Sequence, residues 1–545
     1  MTTTIFRGGR VFTGDSAEPI TADVAVADGT IVAVGASHVV ADLASDETEI
    51  VDLAGRMLVP GFIDSHIHPI HAGLELMRCD LLTLRTLPEY LEAIGAYAAT
   101  LAPDAWVRGG GWSFDAFPGG IPAATDLDRV VGGRPAAFFN RDHHTLWVST
   151  RALELAGIDR GTPDPSDGRI ERDAAGNPIG ALQEGATALV ERIMPATTEA
   201  DLVDALLLSQ DYLGKLGITG WQDAMVFEHY VAPYVTLAEQ GRLTANVVGA
   251  LRVDHNGGLG QVAAHTATRS EFARAGLSFG SVKVMLDGVC ENFTASVLEP
   301  YENVPHSHGD ALGIPFYEDA ALREFVREFD AADFQVHFHA VGDAAVRQAL
   351  DTVEATIAAN GQRGNRHHVA HIQVVHPDDI ARFGPLELAA NAQPLWARLE
   401  PQMTELTMPF LGERRSGWQY PFGALSRAGA RIVMGSDWPV STPNPLRELH
   451  VAVNRTPAPE GSRWKPEDGV FLPEQRLDLA TALSAFTAGS AWINGSEKTT
   501  GTISPGKRAD LVVVDRDLFA IPSDELWTAS VDQTWVGGTA VHRTN

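Results

Sequence analysis

The stretch LVPGFIDSHIHPI, Leu58 to Ile70, opens as an apolar run and ends in histidines. A short continuous apolar run suits a strand of a parallel sheet, which helices cover on both faces. Residues two apart on a strand share a face, so Asp64, His66 and His68 are expected to point the same way. A buried run that ends in ionisable groups fits a barrel strand, because barrel chemistry gathers at strand C-termini.

Working outward, seven more strand-like segments follow: 217–223, 245–251, 281–288, 334–339, 366–371, 388–393 and 431–437. Helix-like stretches lie between several of them, notably 320–332 and 344–360. Strands alternating with helices predict an α/β fold, a parallel (β/α)8 TIM barrel. A doubly wound open sheet is the alternative, but no G-x-G-x-x-G follows an early strand, and VRGGGW lacks that spacing. Both ends read as β. ADVAVADGTIVAVG centres on Asp-Gly and VDQTWVGGTAVH turns at Gly537-Gly538, both hairpin signals. The expected organisation is a composite β-sandwich from 1–56 and 497–545, with a barrel over 57–496 inserted into it. About 75–215 is too long for a bare loop and is expected to form an inserted subdomain over the barrel mouth, shaping a substrate pocket.

Composition narrows the function. Of 545 residues, 70 are Asp or Glu and 41 Lys or Arg, a net charge of −29. That disfavours nucleic acid or an anionic membrane as partner. Two cysteines, Cys79 and Cys290, exclude a disulfide framework and favour a reducing compartment. No apolar run reaches the length of a membrane span, and MTTTIFRGGRVF lacks a signal-peptide core. The expectation is a soluble cytoplasmic protein acting on a small molecule, with a homodimer as the default assembly.

The other strands carry ionisable residues near their ends too: Lys283 and Asp287, His337 and His339, His371, and Asp437. A parallel barrel would gather them at one mouth, where neutral imidazoles suit zinc and similar ions. In order along the chain, PGFIDSHIHP, VKVMLDG, HFHAVGDAAV, HHVAHIQ and GSDWPV resemble the metal motifs of the amidohydrolase superfamily, in particular its amidohydrolase-3 branch. GGGWSFDAFPGGIP, DHHTLWVSTRALELAGI and GTISPGKRADLVVVDRD resemble further segments of that branch, which includes N-substituted formamide deformylases.

The resemblance implies a barrel with a terminal β-sandwich, and one or two zinc or other divalent transition-metal ions. It implies His66 and His68 as ligands of the more buried ion, and Lys283, carboxylated by CO2, as a bridge. His339 and His371 would hold the second ion, and Asp437 the first while acting as general base. The chemistry agrees, since a plain ammonium has no lone pair for a metal. His144 is expected to reach the substrate carbonyl, and Trp112 and Trp147 to serve either as pocket wall or as core of the inserted subdomain. The expected reaction is hydrolysis of a non-peptide amide-type C–N bond, in an N-substituted amide or formamide, giving an amine and a carboxylic acid. The alternatives are a hydrolase of a carbamate, lactam or ester, a deaminase of a nitrogen heterocycle, and a catalytically silent binding protein. A deaminase of this superfamily is expected to carry a glutamate shortly after the strand-five histidine and no bridging lysine, the reverse of this chain.

Other candidates read as structural. His337 and His367 are expected to pack, His143 to be structural, and Cys290 to be a small buried residue. Glu184 is expected on a helix surface and Asp343 as a helix cap. His71 is expected either to line the mouth or to be an ordinary loop histidine, and Asp64 is expected to support a histidine ligand.

Overall fold

Pro60 and Gly61 divide the opening stretch. Met57–Pro60 is one strand and Phe62–Ile67 another, so the single strand expected over 57–64 is two. Proline has no amide for a ladder, and the Gly61 amide donates to Asp510 O at 2.8 Å. The chain thereby leaves one sheet for another. Met57–Pro60 pairs antiparallel with Leu511–Val514 near the C-terminus, whereas Phe62–Ile67 starts the barrel. A Cβ at Gly61 would collide with the Thr219 side chain, so this close approach requires glycine.

The computed structural model describes residues 3–304, 311–459, 462 and 464–544. The barrel strands are β1 (Phe62–Ile67), β2 (Ile218–Val226), β3 (Asn246–Arg252), β4 (Ser278–Met285), β5 (Gln335–Ala340), β6 (His368–His371), β7 (Ala389–Ala392) and β8 (Ile432–Met434). They follow one another in a single parallel sheet. Its ends meet at β1 and β8. Ser65 Oγ donates to Met434 O at 2.7 Å, the Asp437 amide to His66 O at 2.7 Å and the His68 amide to Trp438 O at 2.9 Å. This is the expected α/β barrel rather than an open doubly wound sheet. Helices Asp319–Ala331 and Asp343–Asn360 fall within a residue of their expected bounds.

Two further units flank the barrel. Strands from both termini form two sheets, Thr3–Arg7 with Asp23–Ala27, Thr30–Gly35 and Glu49–Asp52, and Leu511–Val514 with its neighbours. Phe6, Val24, Leu58, Leu511, Val513 and Trp535 pack between them. Both hairpins turn where expected: Asp28 and Gly29 have φ of 47° and 79°, and Gly537 and Gly538 of 54° and 73°, the positive pair a type I′ turn needs. The second unit is a six-stranded sheet built between Cys79 and Glu184, with its own core around Trp112, Phe138 and Trp147. Helix Glu199–Lys215, expected inside the insertion, belongs to the barrel's helical layer instead. Its Leu202, Leu206 and Leu213 join the barrel core, and Ser209 Oγ donates to Pro69 O at 2.6 Å. Among the described residues, no helix is long and apolar enough to cross a membrane.

Candidate metal centre

The barrel brings all six expected ligands to one cavity of about 990 Å³. His66 is in β1, and His68 follows it at the entry to helix Pro69–Leu76. Lys283 lies in β4, His339 in β5 and His371 at the end of β6. Asp437 stands just past β8. Asp437 Oδ1 is 2.9 Å from His68 Nε2 and 3.2 Å from His66 Nε2, and its Oδ2 is 4.0 Å from His371 Nδ1. Lys283 Nζ is 3.3 Å from His66 Nε2. One ligating atom each from His66, His371 and Asp437 lie within 4.8 Å of one another. His339 is beside His371, with rings 4.4 Å apart, but its Nε2 lies 3.2 Å from Gly288 O.

This donor set fits a divalent cation. Asp437 Oδ1 and His371 Nδ1 are buried and make no aligned hydrogen bond among the described residues, an arrangement that costs free energy unless something else satisfies them. Burial, reinforced by Lys283, pushes the His66 imidazole down to about 3, so it is neutral and offers a lone pair. Burial alone would raise the Asp437 carboxyl, but His66 and His68 hold it well below the usual range. Neutral imidazoles converging on a carboxylate are zinc-type ligands. The Lys283 ammonium is dragged down to about 7 by burial, against the opposing fields of Asp437 and Asp223. Much of it is therefore a free amine at neutral pH.

Surrounding groups hold these ligands in place. His337 packs inside the barrel, as expected, and its Nε2 lies 2.9 Å from His66 Nδ1, leaving His66 Nε2 for the centre. Asp64 supports His66 through the backbone rather than the ring: Oδ1 accepts the amides of His66 and Ser436, each at 3.1 Å. Asp287 likewise accepts three amides, from Ser296, Val341 and Gly342. His367 takes the Val336 amide and sits 3.1 Å from Asp330, a packing role. Asp343 opens its helix but accepts the Leu298 amide, so it ties down a loop rather than capping. Cys290 is buried, as expected.

The inserted sheet supplies the opposite wall. His144 Nδ1 lies 2.7 Å from Glu184 Oε2, and the His144 ring is 5.2 Å from that of His339. Burial would lower the His144 pKa, but Glu184 and Asp142 outweigh it and raise it to about 9. Glu184, expected on a helix surface, instead ends strand Pro178–Glu184 with φ of 50°, a turn that aims it inward. Its Oε1 accepts the Thr294 hydroxyl at 2.6 Å. His143, 3.1 Å from Glu75 and stacked on His71, lines the cavity with His71. Trp112 and Trp147, expected either on the pocket wall or in the subdomain core, are fully buried in the core of the inserted sheet. Their indole nitrogens donate to Phe138 O and Ala123 O, and neither ring lines the cavity. Asp223 ends the segment GITGWQD, where no metal motif marks it. It is buried at the mouth end of β2 and accepts the Tyr234 hydroxyl at 2.7 Å.

Known proteins share this architecture. Protein LONG AFTER FAR-RED 3 of Arabidopsis thaliana is 28% identical over 98% of this chain and 90% of its own length. N-substituted formamide deformylase of Arthrobacter pascens is 27% identical over 94% of each chain. The fold is shared with an uncharacterized metal-dependent hydrolase from Pyrococcus horikoshii OT3, with a TM-score of 0.71, 23% identity, and coverage of 96% of this chain and 99% of that one. The model of the amidohydrolase family, in its amidohydrolase-3 branch, matches residues 49–542, from strand Glu49–Asp52 through the barrel to the last strand. A match of that extent takes in the inserted sheet, every barrel strand and the C-terminal strands, and this chain belongs to the amidohydrolase family.

Proposed function

We propose that this protein hydrolyses the C–N bond of a small N-substituted amide or formamide, releasing an amine and a carboxylic acid. The observation that carries the reading is a pair of oppositely tuned groups on one cavity. Asp437 is held deprotonated, and the His144 imidazolium is held protonated by Glu184. Groups whose environments push their pKa values apart can divide base and acid roles. His66, His68 and Asp437 would hold one zinc ion, His339 and His371 a second, and Lys283, as a carbamate made from CO2, would join them. Such ions, when bound, supply a polarised water and neutralise developing negative charge. Lys283 suits carboxylation because its free amine is populated near neutral pH. His144 would donate to the carbonyl oxygen as the carbon becomes tetrahedral. Asp437 would take the proton of the attacking water and pass it to the amine nitrogen as the C–N bond breaks.

The deformylase relative supports an amide-type bond, and the cavity volume suits a small-molecule substrate. The test is metal analysis of the purified protein, with amine and acid release measured across N-formyl, N-acyl and carbamate compounds. The expected result is close to two metal ions per chain, and equal release of amine and acid that chelation abolishes and zinc restores. Absence of both products from every compound, with metal bound, overturns the reading. Ammonia released from an aminated ring, with one metal ion per chain, would replace it with deamination.

A further inference from the structure

Seven arginines among the described residues line the cavity, Arg78, Arg85, Arg108, Arg141, Arg252, Arg398 and Arg447, and they bear on what it holds. Arg78 donates to Thr197 Oγ1 at 2.9 Å, Arg108 to Pro195 O at 2.9 Å, and Arg252 lies over the Phe227 ring. Arg141 differs. Its Nε and Nη2 are buried, with no hydrogen-bond partner among the described residues. Arg398 is paired with Glu400 at 3.0 Å through Nη2, yet its Nε is buried and unpartnered too. Arg85 lines the same cavity, and it is close enough to both that their charges depress its pKa, though burial is the larger cause.

A buried guanidinium nitrogen without an acceptor costs free energy that an incoming anion would recover. The placement ties these arginines to the metal centre from two sides. Arg141 follows strand Ala136–Asn140 and stands three residues before His144. Arg398 stands two residues after Trp396, whose ring stacks on His371 at 5.3 Å. Asp115, Asp142, Glu291 and Glu400 line the same cavity, and acids at that density suit a singly charged carboxylate better than a phosphate dianion.

We propose that Arg141, Arg398 and Arg85 form an anion subsite that selects amides carrying a carboxylate away from the scissile bond. The inference rests on the amidase reading for the word amide, but the subsite itself can be tested without any bond being cut. The probes are phenyl keto acids with two to four methylene groups between ketone and carboxylate, and the primary alcohols of the same lengths. Calorimetric titration into the zinc-loaded protein should show at least one keto acid binding about 10- to 100-fold tighter than its alcohol, the range for a charge-assisted hydrogen bond. Arg141→Met should reduce that ratio to about threefold or less, and Arg398→Met should lower it in part. Arg129→Ala, at a surface position of the inserted unit, should keep it. Arg141→Lys covers the case of a methionine variant that melts early. A ratio near one in the wild type at every length overturns the subsite. So does a ratio that survives both methionine variants, or one that disappears only when the metal is removed, since the metal would then be holding the carboxylate. A carboxylate preference without hydrolysis of any amide keeps the subsite and removes the amidase reading; hydrolysis without the preference does the reverse.

Discussion

His144 owes its charge chiefly to Glu184, with Asp142 adding to it. Glu184, 2.7 Å away, keeps the imidazole protonated to about pH 9 against the pull of burial. If His144 donates to the substrate, kcat/KM should fall as pH rises through about 9. Glu184→Gln should move that alkaline limb down by about 1–3 units, the usual effect of losing a close opposite charge. His144→Ala should lower kcat about 10²- to 10³-fold, as loss of one oxyanion donor does, with metal content unchanged. An alkaline limb that stays put in Glu184→Gln would remove His144 from the reaction. The same shift bears on stability. The folded pKa is raised above the unfolded one, so the pairing contributes fully below about pH 6.5 and is lost as pH rises through about 9. Thermal melts across that window read it. His371, Asp437 and Glu184 also share a backbone trait, with φ of 75°, 56° and 50°. Side chains rarely tolerate that region, and proteins concentrate such strain where function needs a particular aim.

At the scale of the strand, β6 shows how that aim departs from simple alternation. His368 and His371 are three apart, yet both reach the barrel interior: the His368 ring is 3.9 Å from His337, and His371 is 4.8 Å from His66. Strict period-two geometry would put them on opposite faces, and the positive φ at His371 breaks the period. Glycines set the strand spacing at two contacts of β1. Gly61→Ala should destabilise the protein by about 1–3 kcal/mol, the cost of overpacking, and Thr219→Ala in the same chain should recover most of it, because the clash is with that side chain. Equal melting of the single and double variants would contradict this. Gly435→Ala has no such remedy. Its Cβ would overlap the His66 amide nitrogen, so the variant should lose bound metal as well as stability, measured by metal analysis after gel filtration.

Across the whole molecule, the two ends of the chain hold each other. Trp535, near the C-terminus, packs edge-on against Phe6 at 5.1 Å in the core between the terminal sheets. Trp535→Ala should therefore cost about 3–5 kcal/mol, seen as early melting of a unit whose loss also frees Met57–Pro60 from its partner strand. Metal removal should act on the barrel instead. A ligand at 1,000 times its dissociation constant stabilises the folded state by about 4 kcal/mol, so chelation should lower the melting temperature and added zinc should restore it. A melting curve indifferent to both would show that the converging His66, His371 and Asp437 hold no ion.

Much of this was legible in the chain before any folding. Eight strand-like segments, two glycine-containing turns near the termini and histidines at strand ends are local patterns, and local patterns survive in a linear sequence. His66, His68, Lys283, His339, His371 and Asp437 stand among the ionisable residues that strand ends gather in any parallel barrel, and the resemblance to amidohydrolase motifs picked out these six as ligands. Other assignments depended on neighbours distant in sequence. Glu184 and Arg141 owe their place to the inserted sheet lying over the barrel mouth, and no pattern around them announces it. Trp112 and Trp147 suit a pocket wall or a subdomain core equally in sequence, and only the packing of that sheet places them in its core. The break at Pro60-Gly61 is visible in sequence, but that the two halves serve different sheets follows only from Leu511–Val514 arriving beside Met57–Pro60. The sequence by itself determined the elements and the chemistry they can carry. The tertiary structure decided which side chains meet, because burial, charge pairing and pKa are set by contacts between residues far apart in the chain.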